Sequence, residues 1–138
     1  MNAEDQELKD VLQSAQTIAT VGIKTDTSQD AYRVPKYMQD HGARILPVNP
    51  KVDEILGEKA YAQLADIDVP VDLVNLFRAP ENIPDHVEEI LAMQPLPNAV
   101  WMQLGIYHGA AAAQLRAAGV KVIQDRCIMV DHRRLLGS

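Results

Sequence analysis

Side chains able to hold a phosphate crowd into residues 22–33: Gly22, Lys24, Thr25, Thr27, Ser28 and Arg33. A glycine lets an anion approach the backbone closely. Hydroxyls and cations can bond its oxygens, and the start of a following helix would add free N–H groups. The same residues also suit an ordinary polar loop. No G-x-G-x-x-G occurs here, so the usual dinucleotide fingerprint is missing.

Three further loops carry comparable groups. Pro47-Val-Asn-Pro-Lys51 places Asn49, Pro50 and Lys51 together. A dinucleotide-binding domain that holds free ribose hydroxyls usually has Asp or Glu at this point. A neutral amide beside a lysine suits a phosphorylated ribose better; a rigid turn with a solvated lysine is the plainer alternative. Phe77 and Arg78 open the next loop, where Arg78 can pair with a ligand phosphate or with Glu81. In Trp101-Met-Gln-Leu-Gly-Ile106, Gln103 can donate or accept. Gly105, just past Leu104, permits close approach, whereas Trp101 is expected in the core.

Groups suited to catalysis are sparse. His41 and His86 fall on helix faces or their edges, and His132 lies in a charged tail. His108 alone sits in a loop at the expected ligand edge, without a partner for acid–base work. Cys127 follows Arg126, which could favour the thiolate, but a single cysteine at a strand end is ordinarily packing. Glu88 and Glu89 are adjacent on a helix and should point apart as solvated charges. No metal-ligand spacing is present, and no catalytic residue is assigned.

These loops need a scaffold. Leu8, Val11, Leu12 and Ala15 recur at helical spacing, which predicts a helix from about Glu4 to Ala15. Thr17 to Ile23 is β-branched and small, as a buried strand requires. Val34, Tyr37, Met38 and His41 mark a helix ended by Gly42, with Pro35 expected in its first turn. Strands follow at Ala43 to Val48, Val71 to Phe77, Asn98 to Gln103 and Val120 to Gln124. Helices are expected around Ile83 to Leu91 and Ala110 to Ala118. A short helix near Tyr61 to Ala65 is possible in the unclear segment from Lys51 to Pro70. The tail from Asp125 to Ser138 reads as mixed, polar and exposed. Strands separated by helices run parallel through right-handed crossovers. The expectation is a single α/β domain over residues 1–138, a Rossmann-like open parallel sheet flanked by helices. In such a sheet, ligands bind beyond the carboxyl ends of the strands.

Composition agrees and narrows the partners. The 138 residues suit one domain. Apolar residues are 47% but aromatics only 4%, so the core is aliphatic. A net charge of −6 disfavours nucleic acid as a partner while leaving room for a small anion. One cysteine precludes an internal disulfide. No signal core or membrane-spanning run is present, and a cytoplasmic protein is expected.

Read in order, the segments resemble one family across nearly the whole chain. They are Ile18-Ala-Thr-Val-Gly22, Tyr32-Arg-Val-Pro-Lys-Tyr37, Ile45-Leu-Pro-Val-Asn-Pro50, Gly57-Glu-Lys-Ala-Tyr61, Val71 to Arg78, Trp101-Met-Gln-Leu-Gly105 and Asp125-Arg-Cys-Ile128. The chain resembles the small CoA-binding domain proteins, whose fold is that of the CoA-binding domain of the succinyl-CoA synthetase alpha subunit. The resemblance implies coenzyme A as ligand. Gly22, Lys24, Thr25, Ser28 and Arg33 would face its pyrophosphate. Asn49, Pro50 and Lys51 would lie near the adenosine end with its ribose 3′-phosphate. Phe77, Arg78, Gln103, Leu104 and Gly105 would border the adenine and pantetheine path. The large synthetases use a phosphorylated histidine carried on a further domain, which has no counterpart among these residues. The implied function is a stand-alone, non-catalytic module for coenzyme A or an acyl-CoA. The alternatives are an NAD(P)-linked oxidoreductase domain, an interaction domain without ligand, and an enzyme subunit completed by a partner chain.

Overall fold

Runs of β-branched and aliphatic residues form five short parallel strands in the computed structural model, which describes residues 2–137. They are β1 (Thr17–Val21), β2 (Arg44–Val48), β5 (Leu73–Leu76), β6 (Ala99–Met102) and β7 (Lys121–Ile123). Their order across the sheet is β2-β1-β5-β6-β7. The chain leaves β1 toward one edge and returns to β1's other side as β5. That reversal of direction is where open α/β sheets bind ligands.

Both faces of the sheet are buried, so successive residues of a strand feed two different cores. Ala19 and Val21 join Leu46, Val74 and Val100 beneath α3 (Ile83–Leu91) and α4 (Gly109–Ala117). Ile18 joins Ile45, Leu73 and Trp101 beneath α1 (Ala3–Ser14), α2 (Asp30–Asp40) and α5 (Ile128–Leu135). Trp101 is fully buried, and its indole Nε1 donates to the Arg126 carbonyl at 2.8 Å. Thr20 also lies within the sheet, and its Oγ1 is buried with no hydrogen-bond partner among the described residues.

Three local features depart from expectation. Pro35 lies in the interior of α2, because the helix begins at Asp30. A proline there has no N–H to give the Ala31 carbonyl. The Lys24 N–H donates to that carbonyl instead, at 3.2 Å, and ties the β1 loop to the helix. The segment after Lys51 contains a hairpin of β3 (Glu54–Ile55) and β4 (Glu58–Lys59). Its turn residues, Leu56 and Gly57, are both at positive φ, as a tight two-residue hairpin turn demands. Tyr61 then bridges to Val48, and only Leu64–Asp66 is helical, as one 3₁₀ turn.

The tail is the third. It folds back as α5, against α1 and α2, rather than lying exposed. Ile128 is fully buried in the core. Asp131, whose side chain is 4% exposed, accepts from Arg126 Nε and Nη2 at 2.6 and 2.9 Å and from Arg134 at 3.2 Å. Arg126 also reaches Glu4, and Arg134 reaches Asp5, so charges from both ends of the chain meet here.

Candidate ligand cleft at the strand switch

β1 ends at Val21, and the chain must then turn against the end of β5. Gly22 makes the turn at φ +83°. A methyl group at Gly22 would press into the Phe77 carbonyl oxygen and lie 3.1 Å from Arg78 Cδ. The glycine is therefore required by the protein's own backbone, whatever a ligand adds. Its N–H donates to Val48, and Phe77 N donates to Val21, so the ends of three strands are stitched together.

Two depressions adjoin at this point. The larger, about 460 Å³, lies between the β1 loop, the start of α2, and the loops after β5 and β6. Phe77, Pro80, Leu104 and Ile106 give it apolar walls. The smaller, about 230 Å³, lies between the ends of β1 and β2 and one side of α3. Gly22, Lys24 and Arg78 border both. Lys51 borders the smaller one. Among the described residues, Lys24, Lys51 and Arg78 have no acidic partner within salt-bridge distance, and no Arg78–Glu81 pair forms. Three cations without a salt-bridge partner thus border cavities that also carry the Asp30 and Glu89 carboxylates, in a chain whose net charge is −6.

Other expected ligand groups are held by the scaffold. Asn49 Nδ2 donates to the Ile23 carbonyl at 2.9 Å, and its Oδ1 accepts from Lys51 N at 2.8 Å. The amide clamps the β1 and β2 loops together and places Lys51 at the cavity. Pro50 lines the same wall. Gln103 is buried, with Nε2 donating to Asn75 Oδ1 at 2.6 Å and Oε1 accepting from Ile128 N at 3.4 Å. Its side chain joins the sheet to α5, although the residue borders the larger cavity. Gly105, at φ +85°, donates its N–H to Asp125 at 2.6 Å, which fixes the loop and leaves Leu104 72% exposed at the cleft mouth.

Thr25, Ser28 and Arg33 lie outside the lining of either depression. The Ser28 hydroxyl and N–H both donate to Asp26 Oδ1, at 2.6 and 2.9 Å. Those bonds, the hydroxyl's first, hold the Asp26 carboxyl below its usual range. An acidic turn therefore occupies the middle of the loop. Arg33 bonds Asp30 at 3.2 Å, on a carboxylate that borders the larger cavity.

Of the groups weighed for chemistry, His108 caps α4, its Nδ1 accepting from Ala111 N at 3.1 Å. Cys127 borders the larger cavity, but the neighbouring Arg126 is engaged by Asp131 and Glu4. Among the described residues, no group of three or more His, Cys, Asp or Glu side chains could hold a metal. No helix there is long and apolar enough to cross a membrane. Sequence reasoning missed one pair. Glu89 is not a free solvated charge; its Oε1 meets His86 Nδ1 at 2.9 Å and its Oε2 accepts from Leu64 N at 3.2 Å. Both residues border the smaller cavity. Their i, i+3 spacing on α3 was the available signal.

A family profile described as "CoA binding domain" matches residues 16–133. An uncharacterized protein, YneT, from Bacillus subtilis (strain 168) is 40% identical over 131 residues, spanning 95% of this chain and 96% of that protein. The ADP-forming acetate–CoA ligase of Methanocaldococcus jannaschii is 30% identical over 89 residues, which is 64% of this chain but 12% of the ligase. Among solved structures, cell-free ID.343 from Thermus thermophilus superposes with a TM-score of 0.90 at 45% identity, covering 99% of this chain and 100% of its own.

Proposed function

Because the chain belongs to the CoA binding domain family, we propose that it binds coenzyme A or an acyl-CoA as a stand-alone module without catalysis of its own. The observation that carries this reading is the convergence of Lys24, Lys51 and Arg78, unpaired, on the two cavities that meet at Gly22. A ligand with separated phosphates and a long, mostly neutral arm fits that distribution. The phosphates meet the cations, and the arm follows the apolar walls of the larger cavity past Phe77 and Leu104. Lys24 and Arg78, common to both cavities, suit the pyrophosphate, and Lys51 suits the ribose phosphate. Asn49 acts as a positioning residue in this scheme, not as a direct ligand. His108 serves as the cap of α4 in this scheme.

The test is calorimetry with coenzyme A, dephospho-CoA and NADP. Coenzyme A should bind, with dephospho-CoA weaker. A charge-assisted bond to phosphate at an exposed site is worth about 1.4 kcal/mol, or about tenfold in affinity. Lys51→Ala and Arg78→Ala should each weaken coenzyme A by about that factor. NADP bound tightly with no coenzyme A bound at millimolar concentration would overturn the reading. Unchanged affinity in both variants would overturn the placement of the phosphates.

A further inference from the structure

His86 lies on the side of α3 that borders the smaller cavity, where Lys51 and Arg78 also lie. Its side chain is 15% exposed. Glu89, one helical turn on, holds the ring through Nδ1 at 2.9 Å. The second carboxylate oxygen accepts from Leu64 N, so the 3₁₀ segment fixes the carboxylate that fixes the ring. A carboxylate against Nδ1 keeps a proton on that nitrogen and leaves Nε2 as the variable site. Nε2 has no hydrogen-bond partner among the described residues.

A neutral imidazole offers only a lone pair at Nε2, while a phosphate dianion offers only acceptors. The two can bond only if Nε2 takes up a proton. We propose that His86 is a phosphate-contacting residue of the smaller cavity, protonated as a phosphate monoester enters, so that ligand binding draws a proton from solvent. This rests on the coenzyme A reading above, with the ribose 3′-phosphate as the monoester. The charged groups that share the smaller cavity with His86 are Glu89 from α3, Lys51 from the β2 loop, Arg78 from the β5 loop and Lys24 from the β1 loop. Leu64 contributes its N–H, already bonded to Glu89.

Proton uptake is read by titrating coenzyme A into the protein at pH 7.5, by calorimetry in two buffers of different ionisation enthalpy. At that pH the ligand phosphate is already largely a dianion. The apparent heat should differ between buffers by a fraction of a proton taken up per ligand. The difference should vanish with dephospho-CoA and in His86→Gln. His86→Gln should weaken coenzyme A about fivefold to tenfold at pH 6.5 but less than twofold at pH 8.5, with dephospho-CoA little changed. Coenzyme A bound with buffer-independent heat would overturn the proposal and leave the functional reading standing. Uptake persisting in His86→Gln would overturn it equally. The wild-type buffer comparison stands even if the variant does not fold. No binding of coenzyme A at all would remove both readings together.

Discussion

Replacing Gly22 with alanine separates two reasons for a glycine at the strand switch. One is access for a ligand phosphate. The other is the approach of the β1 and β5 ends, where a methyl group would press into the Phe77 carbonyl. A left-handed φ costs a non-glycine residue about 1–2 kcal/mol. Forcing an extra carbon into a packed contact costs about 1–3 kcal/mol more. Gly22→Ala should therefore lose about 3 kcal/mol, which lowers Tm by roughly 10 °C for a domain near this size. Gly105→Ala is the control: its φ is +85°, but a methyl group there meets nothing within 4 Å. It should lose only about 1–2 kcal/mol, from backbone conformation. Urea and thermal unfolding without ligand measure both variants. Equal losses in the two would refute the backbone-contact argument, and full stability in Gly22→Ala combined with lost ligand affinity would leave phosphate access as the sole role.

Asp131→Ala removes the acceptor from Arg126 and Arg134; Arg126 is only partly exposed, so a loss of about 2–3 kcal/mol is expected in urea unfolding. A loss below about 0.5 kcal/mol would show that α5 is held by packing alone. Thr20→Val replaces an unpartnered buried hydroxyl with a methyl group and should raise stability by about 1 kcal/mol. A clear destabilisation would reveal a partner for that hydroxyl. Burial, and then the charge of His41, push the His132 imidazole below its ordinary value of 6.5. The fold therefore favours neutral His132, and its contribution to stability is fully present above pH 6.5 and is lost as pH falls from there through the lower value that the folded state imposes. Tm should fall between pH 7 and pH 5.5, and His132→Asn should flatten that slope; an identical slope in the variant would show that other groups carry it.

Val71 to Leu76 and Ala99 to Met102 were legible as strands because the central strands of the sheet are buried on both faces, so short, mostly apolar runs bounded by turn residues mark them. The end of the chain was not legible, because α5 is eight residues long and rests on distant partners. Arg126, Asp131, Glu4 and Asp5 look like solvated charges until the fold brings them together. The cleft divides similarly. Glycines, lysines and arginines after the strands were readable as a site, since strand ends share one edge. What Asn49 and Gln103 bond was not, because an amide suits a ligand as well as it suits a carbonyl 26 residues away. Pro35 misled for a related reason: its cost in a helix interior is offset by Lys24 N–H, a bond across 7 residues that no local rule anticipates.

The ion pairs from Arg126 to Glu4 and from Arg134 to Asp5 have a consequence for how this unit can be joined to others. They set the first and last helices side by side, so the chain enters and leaves the domain on one flank. A peptide bridge between residues 137 and 2 could close the backbone into a ring, and new ends could be opened at the exposed Asp26–Ser28 turn. The same adjacency lets the unit be spliced into a longer polypeptide through two neighbouring junctions, without pulling the sheet apart.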